Sequence, residues 1–161
     1  MENQNKTSGS VVMTILNKME MINVFLSIAG IIGKMMMFPG LSVLLICGLG
    51  GLSITYLLRP FFIDTKSEFF KTKDKELVQR YRTVYLLVCF GLSITVLGVL
   101  FYLQHWNGFE KMTRVGGIAS LIGIFGLMYI KRIIPEIKIN SLLYFRLTVA
   151  IFAAIYIFQN S

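Results

Sequence analysis

The sequence predicts an all-α integral membrane protein with about five transmembrane helices, the first four arranged as two parallel helical-hairpin repeats. Three observations lead there. Hydrophobic residues fill 55% of the 161 positions and charged residues 15%, with a mean hydropathy of +0.70. A soluble domain of this length needs more polar surface than that to cover its core. Lys and Arg crowd into short segments between long uncharged runs, the pattern expected when lipid solvates the outer surface. All three prolines (Pro39, Pro60 and Pro135) fall between those runs, where a missing N–H costs least.

Residues 1–21 open with the polar run MENQNKTSGS, and Asn17, Lys18 and Glu20 interrupt the apolar residues that follow. A cleaved signal peptide is therefore not expected, and the first span would itself act as the targeting signal. The weak stripe of Val12, Ile15, Leu16 and Met19 reads as interfacial. The first span, 22–38, carries Asn23 and Lys34 near its ends, and the second, 41–58, is uncharged. Together they make the first hairpin, 22–58.

The basic link 59–83 follows. Phe69, Phe70, Lys73, Leu77, Tyr81 and Val84 lie roughly on one helical stripe, which predicts an interfacial helix running into the third span. A docking surface for a cytoplasmic partner would use the same residues. The third span, 84–103, is twenty uncharged residues, long enough at ~1.5 Å per residue to cross the hydrocarbon. The fourth, 115–130, is glycine-rich and closes the second hairpin, 84–130. The fifth, 139–158, is interrupted only by Arg146, whose long side chain can snorkel back to the interface.

Orientation follows from the basic residues. One side holds Lys6 and Lys18, the link with Arg59, Lys66, Lys71, Lys73, Lys75, Arg80 and Arg82, and a second link with Lys131, Arg132 and Lys138. The other side holds Lys111, Arg114 and, at a span edge, Lys34. The positive-inside rule then places the N-terminus and both links in the cytoplasm of a cell with this chain in its inner membrane. The net charge of +8 is accounted for by this asymmetry, so no nucleic-acid partner is expected; the lipid bilayer is.

A repeat emerges when 22–58 is set against 90–126. Gly30 falls on Gly98, Gly40 on Gly108 and Gly48 on Gly116, while Phe38-Pro39-Gly40 meets Trp106-Asn107-Gly108. Both hairpins enter and leave from the same side, so the repeats are parallel. Pro-Gly and Asn-Gly supply a tight connection, and Phe38, His105 and Trp106 would anchor it at headgroup level. Small residues four apart (Ala29 and Gly33, Gly116 and Ser120, Ala119 and Gly123, Ala150 and Ala154) predict faces on which helices approach closely, within the chain, to a second copy or to another subunit.

Chemistry is sparse. All eight acids read as lying outside the spans or at their ends, whereas proton relays and cation-coupled carriers usually rely on a carboxylate within the membrane. Lys34 and Arg146 are the basic candidates near a span interior. Cys47 and Cys89 lie in apolar runs and read as small buried residues rather than a disulfide. The chain has one histidine, and no second ligand accompanies it at metal-binding spacing, so neither metal nor cofactor is expected. An enzyme would have to draw acid, base and nucleophile from Tyr102, His105 and Glu110 in one short loop. The better reading is a non-catalytic scaffold or accessory subunit of a membrane complex. The alternative is a small transporter or channel, which a shared cavity lined by Ser93, Thr95, Gln104 and Ser120 would favour.

The stretch LFYLQHWNG resembles the FK-x-x-HWPG hairpin of polytopic membrane proteins of Bacteroidetes, the family of the L subunit of the gliding-motility and type IX secretion motor. Phe101, His105, Trp106, Gly108 and Gly116 carry the resemblance, with Gly30, Lys34, Phe38, Pro39, Gly40 and Gly48 as a degenerate first copy. The resemblance implies a shared hairpin. It does not extend to energy conversion, because the motor glutamate a few residues past the second glycine is replaced by Leu52 and Ser120.

Overall fold

The computed structural model describes residues 2–38, 40–62, 75–133, 135 and 141–159, with side chains from residue 11 onward except that of 141. These residues form five α-helices and no strand. They are α1 (Glu2–Met35), α2 (Ser42–Leu58), α3 (Lys75–Leu103), α4 (Phe109–Ile133) and α5 (Ser141–Gln159), with a 3-10 turn, Arg59–Phe62, after α2. Every one, α2 together with its 3-10 turn, is long and apolar enough to cross a membrane.

The chain divides into two compact units, Met1–Asp74 and Lys75–Ser161. In the first, α1 and α2 pair antiparallel. Gly30 faces the backbone of Leu45, Gly48 that of Ser27, and Gly51 the side chain of Asn23. A Cβ on Gly48 would lie 2.5 Å from the Ser27 nitrogen, so only glycine lets the two backbones come this close. In the second unit, α3 and α4 pair in the same manner. Gly98 faces Thr113, and a Cβ on Gly116 would lie 2.6 Å from the Thr95 nitrogen. Adding 68 to the residues of the first pair of contacts, Gly30 with Leu45 and Ser27 with Gly48, yields those of the second. Helix α5 packs on α4 and α3, with Leu143, Leu147, Ala150 and Ile157 turned inward.

The faces turned away from these contacts are apolar. Phe25 on α1, Phe125 on α4, and Phe145 and Phe152 on α5 are exposed, each by about two thirds of its surface. Water would penalise that arrangement at roughly 25 cal/mol per Å², and hydrocarbon would not.

Several boundaries move. Helix α1 does not begin at residue 22: residues 11–21 continue the same helix, and its apolar stretch is Val11–Met35. Glu20 therefore lies inside a candidate span, which corrects the expectation that every acid lies outside the spans or at their ends. Helix α3 starts at Lys75, well before the uncharged run, because nothing in KELVQRYRT breaks a helix. The stripe residues Phe69, Phe70 and Lys73 of the link lie outside the described residues, as does Pro39.

Candidate functional site

The most polar buried region sits where α1, α2 and the 3-10 turn meet. Arg59, held at the C-terminus of α2, directs its guanidinium back onto α1. One nitrogen donates to Glu20 Oε2 at 2.8 Å and another to Asn17 Oδ1 at 2.5 Å. Tyr56 Oη donates to the second carboxylate oxygen of Glu20 at 3.2 Å. Both charged side chains are more than nine-tenths buried. One turn further along α1, Asn23 Nδ2 donates to Thr55 Oγ1 at 3.4 Å, and Thr55 itself donates to the Gly51 carbonyl. Ser27 Oγ, the next inward position, donates to the Asn23 carbonyl.

The spacing explains the assembly. Asn17, Glu20, Asn23 and Ser27 recur every three or four residues and form one stripe of α1; Thr55, Tyr56 and Arg59 do the same on α2. Burying either charge alone would cost several kcal/mol. Here each carboxylate oxygen and two guanidinium nitrogens have partners, so the cost is largely offset. At the corresponding places in the second hairpin stand Tyr85, Val88, Gly91, Thr95, Gly123, Ile124 and Leu127, with Val88 and Leu127 fully buried. One hairpin closes on a buried ion pair; at the matching places the other has two apolar side chains, Val88 and Leu127. Reading by hydropathy missed the seam because Asn17, Lys18 and Glu20 looked like the polar flank of a later span. The three-and-four spacing of Asn17, Glu20, Asn23 and Ser27 was the signal available.

The two turns have a common construction. Met37 and His105, both non-glycine, have φ of 57° and 56°, and Gly40 and Gly108 both have φ of 95°. The Phe38 N–H bonds to the Gly33 carbonyl and that of Met37 to Lys34; Trp106 bonds likewise to Phe101 and His105 to Tyr102. This is a Schellman ending, in which a left-handed residue turns the chain and satisfies the last carbonyls. Trp106 adds an edge-on ring contact to Phe101, centroids 5.1 Å apart. The exposed imidazole of His105 thus projects from a backbone position that suits glycine better. His105→Gly is expected to stabilise the protein by about 1 kcal/mol, read as a rise in thermal midpoint in detergent. A loss of function in that stable variant would instead assign the imidazole a chemical role.

The remaining expected residues are dispersed. Phe38, Trp106 and Gly108 are exposed at the turns. Glu110 is exposed, with Arg114 Nη2 at 3.9 Å from its carboxylate, and Lys34 and Arg146 are partly buried in separate units. Of the packing residues, Gly33, Gly116, Ser120, Gly123 and Ala150 are buried, and Ala119 and Ala154 meet Gly91 and Gly117. Ala29 is exposed, and its neighbour Gly30 takes the close contact instead. Thr95 Oγ1 donates to the Gly91 carbonyl of its own helix at 2.9 Å. The hydroxyls of Ser120 and Thr113 are buried without a hydrogen-bond partner among the described residues. Among those residues, no three His, Cys, Asp or Glu side chains gather where a metal ion could sit. In comparison with known proteins, the chain matches no family model, no curated protein and no solved structure.

Proposed function

We propose that this chain is a multi-pass protein of the cytoplasmic membrane, with its N-terminus inside, acting as a non-catalytic scaffold or accessory subunit of a membrane complex. The observation that carries the proposal is the closure of the Glu20–Arg59 seam. Its charged groups are committed to Asn17, Tyr56 and each other, so they fix the geometry of a hairpin. What the helices present outward is apolar faces, the material from which helix–helix contacts in lipid are made. The matching turns and glycine contacts of the two hairpins support descent from one repeated unit, with the polar seam in the first copy. Descent from the gliding-motor family rests on the turn residues and carries no part of the functional reading.

A small transporter or channel is the second reading. The buried hydroxyl of Ser120, without a partner among the described residues, favours it. The bond of Thr95 to its own helix weighs against it.

Crosslinking in intact cells, mild-detergent purification and mass spectrometry test the proposal. A defined set of other membrane subunits is the expected result. A clean homo-oligomer without partners would overturn the scaffold reading and move the weight to transport.

A further inference from the structure

Between α4 and α5 runs an apolar groove of about 430 Å³, within the usual range of ligand sites. Ile118, Leu121, Ile151 and Ile155 line its length. Arg114 and Phe158 stand at one end, with the guanidinium carbon 5.0 Å from the ring centroid. The groove follows α4 from Glu110 to Leu121. At ~1.5 Å per residue that is roughly 16 Å, close to half of a hydrocarbon core of ~30 Å. It therefore has one charged end and the depth of a single leaflet.

The charged end has donors to spare. Arg114 meets Phe158 through the attraction of its charge for the ring, which does not consume its N–H groups. Glu110, at 3.9 Å, lies beyond hydrogen-bond distance. Lys111, three residues before Arg114 on the same helix, is exposed beside it. Two cations against one carboxylate leave this end net positive. A second copy seated here with the same face would bring Arg114 and Lys111 against their own kind. A phosphate would meet a planar fork suited to it.

Resting on the membrane reading above, we propose that the α4–α5 groove binds one acyl chain of an anionic glycerophospholipid, with Arg114 and Lys111 holding its phosphate. The site differs from general lipid contact in selecting for headgroup charge at a fixed place.

The test uses the full chain reconstituted in vesicles of phosphatidylcholine alone or of phosphatidylcholine and phosphatidylglycerol in equal parts. Resistance to carbonate extraction is scored first, and retained lipid is then counted by native mass spectrometry. Wild type is expected to keep one phosphatidylglycerol in preference to phosphatidylcholine. Arg114→Gln should lower that preference about tenfold, and Ile155→Trp, which fills the groove from its exposed side, should abolish retention. Equal retention of both lipids, or no change in Arg114→Gln, would overturn the proposal while leaving the membrane reading intact. Displacement of the lipid by inorganic phosphate would show a free-anion site and overturn it also. Extraction of the protein by carbonate would overturn both readings together.

Discussion

Arg59→Ala is expected to destabilise the first hairpin by about 3–5 kcal/mol, because it leaves the Glu20 carboxylate buried without its charged partner. Glu20→Ala should cost a similar amount by stranding the guanidinium. The double variant Glu20→Val/Arg59→Leu installs the pair that the second hairpin already uses at Val88 and Leu127. It should recover most of the loss, since a well-packed apolar pair often equals or exceeds a buried ion pair in stability. Reversible unfolding in detergent, run as a double-mutant cycle, measures the coupling. If the double variant were as unstable as the singles, the seam would be acting through something other than mutual compensation. If it were stable but failed to assemble with partners, the seam would serve geometry rather than stability.

The second large effect is expected at Gly116. A Cβ there would sit 2.5 Å from Thr95 Oγ1 and 2.6 Å from the Thr95 nitrogen, and backbone cannot retreat as a flexible side chain can. Gly116→Val should force α3 and α4 apart and cost upwards of about 3 kcal/mol, the upper range for overpacking a close contact. Gly48→Val should do the same to α1 and α2 through the Ser27 nitrogen. Gly50→Ala is the internal control. Nothing lies within 4 Å of its added carbon, so it should be neutral or slightly stabilising, as alanine is the better helix former. The same unfolding assay separates the three. Comparable losses in all of them would mean that helix propensity, rather than helix approach, governs these glycines.

Sequence reasoning reached the parts of this molecule that depend on local chemistry. Uncharged runs such as 84–103 marked helices, and Gly40 and Gly108 marked turns, where both have positive φ. It faltered wherever the outcome depended on a partner across the hairpin. Glu20 looked like flanking polarity because hydropathy sums side chains one at a time, whereas its burial depends on Arg59, far along the chain. Ala29 and Gly33 were paired by spacing, yet one residue of helical rotation, about 100°, puts Gly30 in the contact and Ala29 outside. Small residues adjacent on a helix cannot be told apart without knowing which face is covered. His105 drew attention by rarity, while its structural distinction lies in its backbone, for which histidine is a poor advertisement.

On the membrane reading proposed above, the seam also bears on how the two hairpins are made. A helix enters the bilayer according to the polarity it carries at that moment, and an uncompensated charge near the middle opposes entry by about 2.5–3.5 kcal/mol. Helix α3 contains the most apolar stretch of the five and needs no help. Helix α1 leaves the ribosome with Asn17, Glu20 and Asn23 exposed on one stripe, and the arginine that neutralises Glu20 is synthesised only after all of α2. The first hairpin is therefore suited to settle in lipid as a joined pair, its commitment delayed until Arg59 arrives, whereas the second can be laid down one helix at a time.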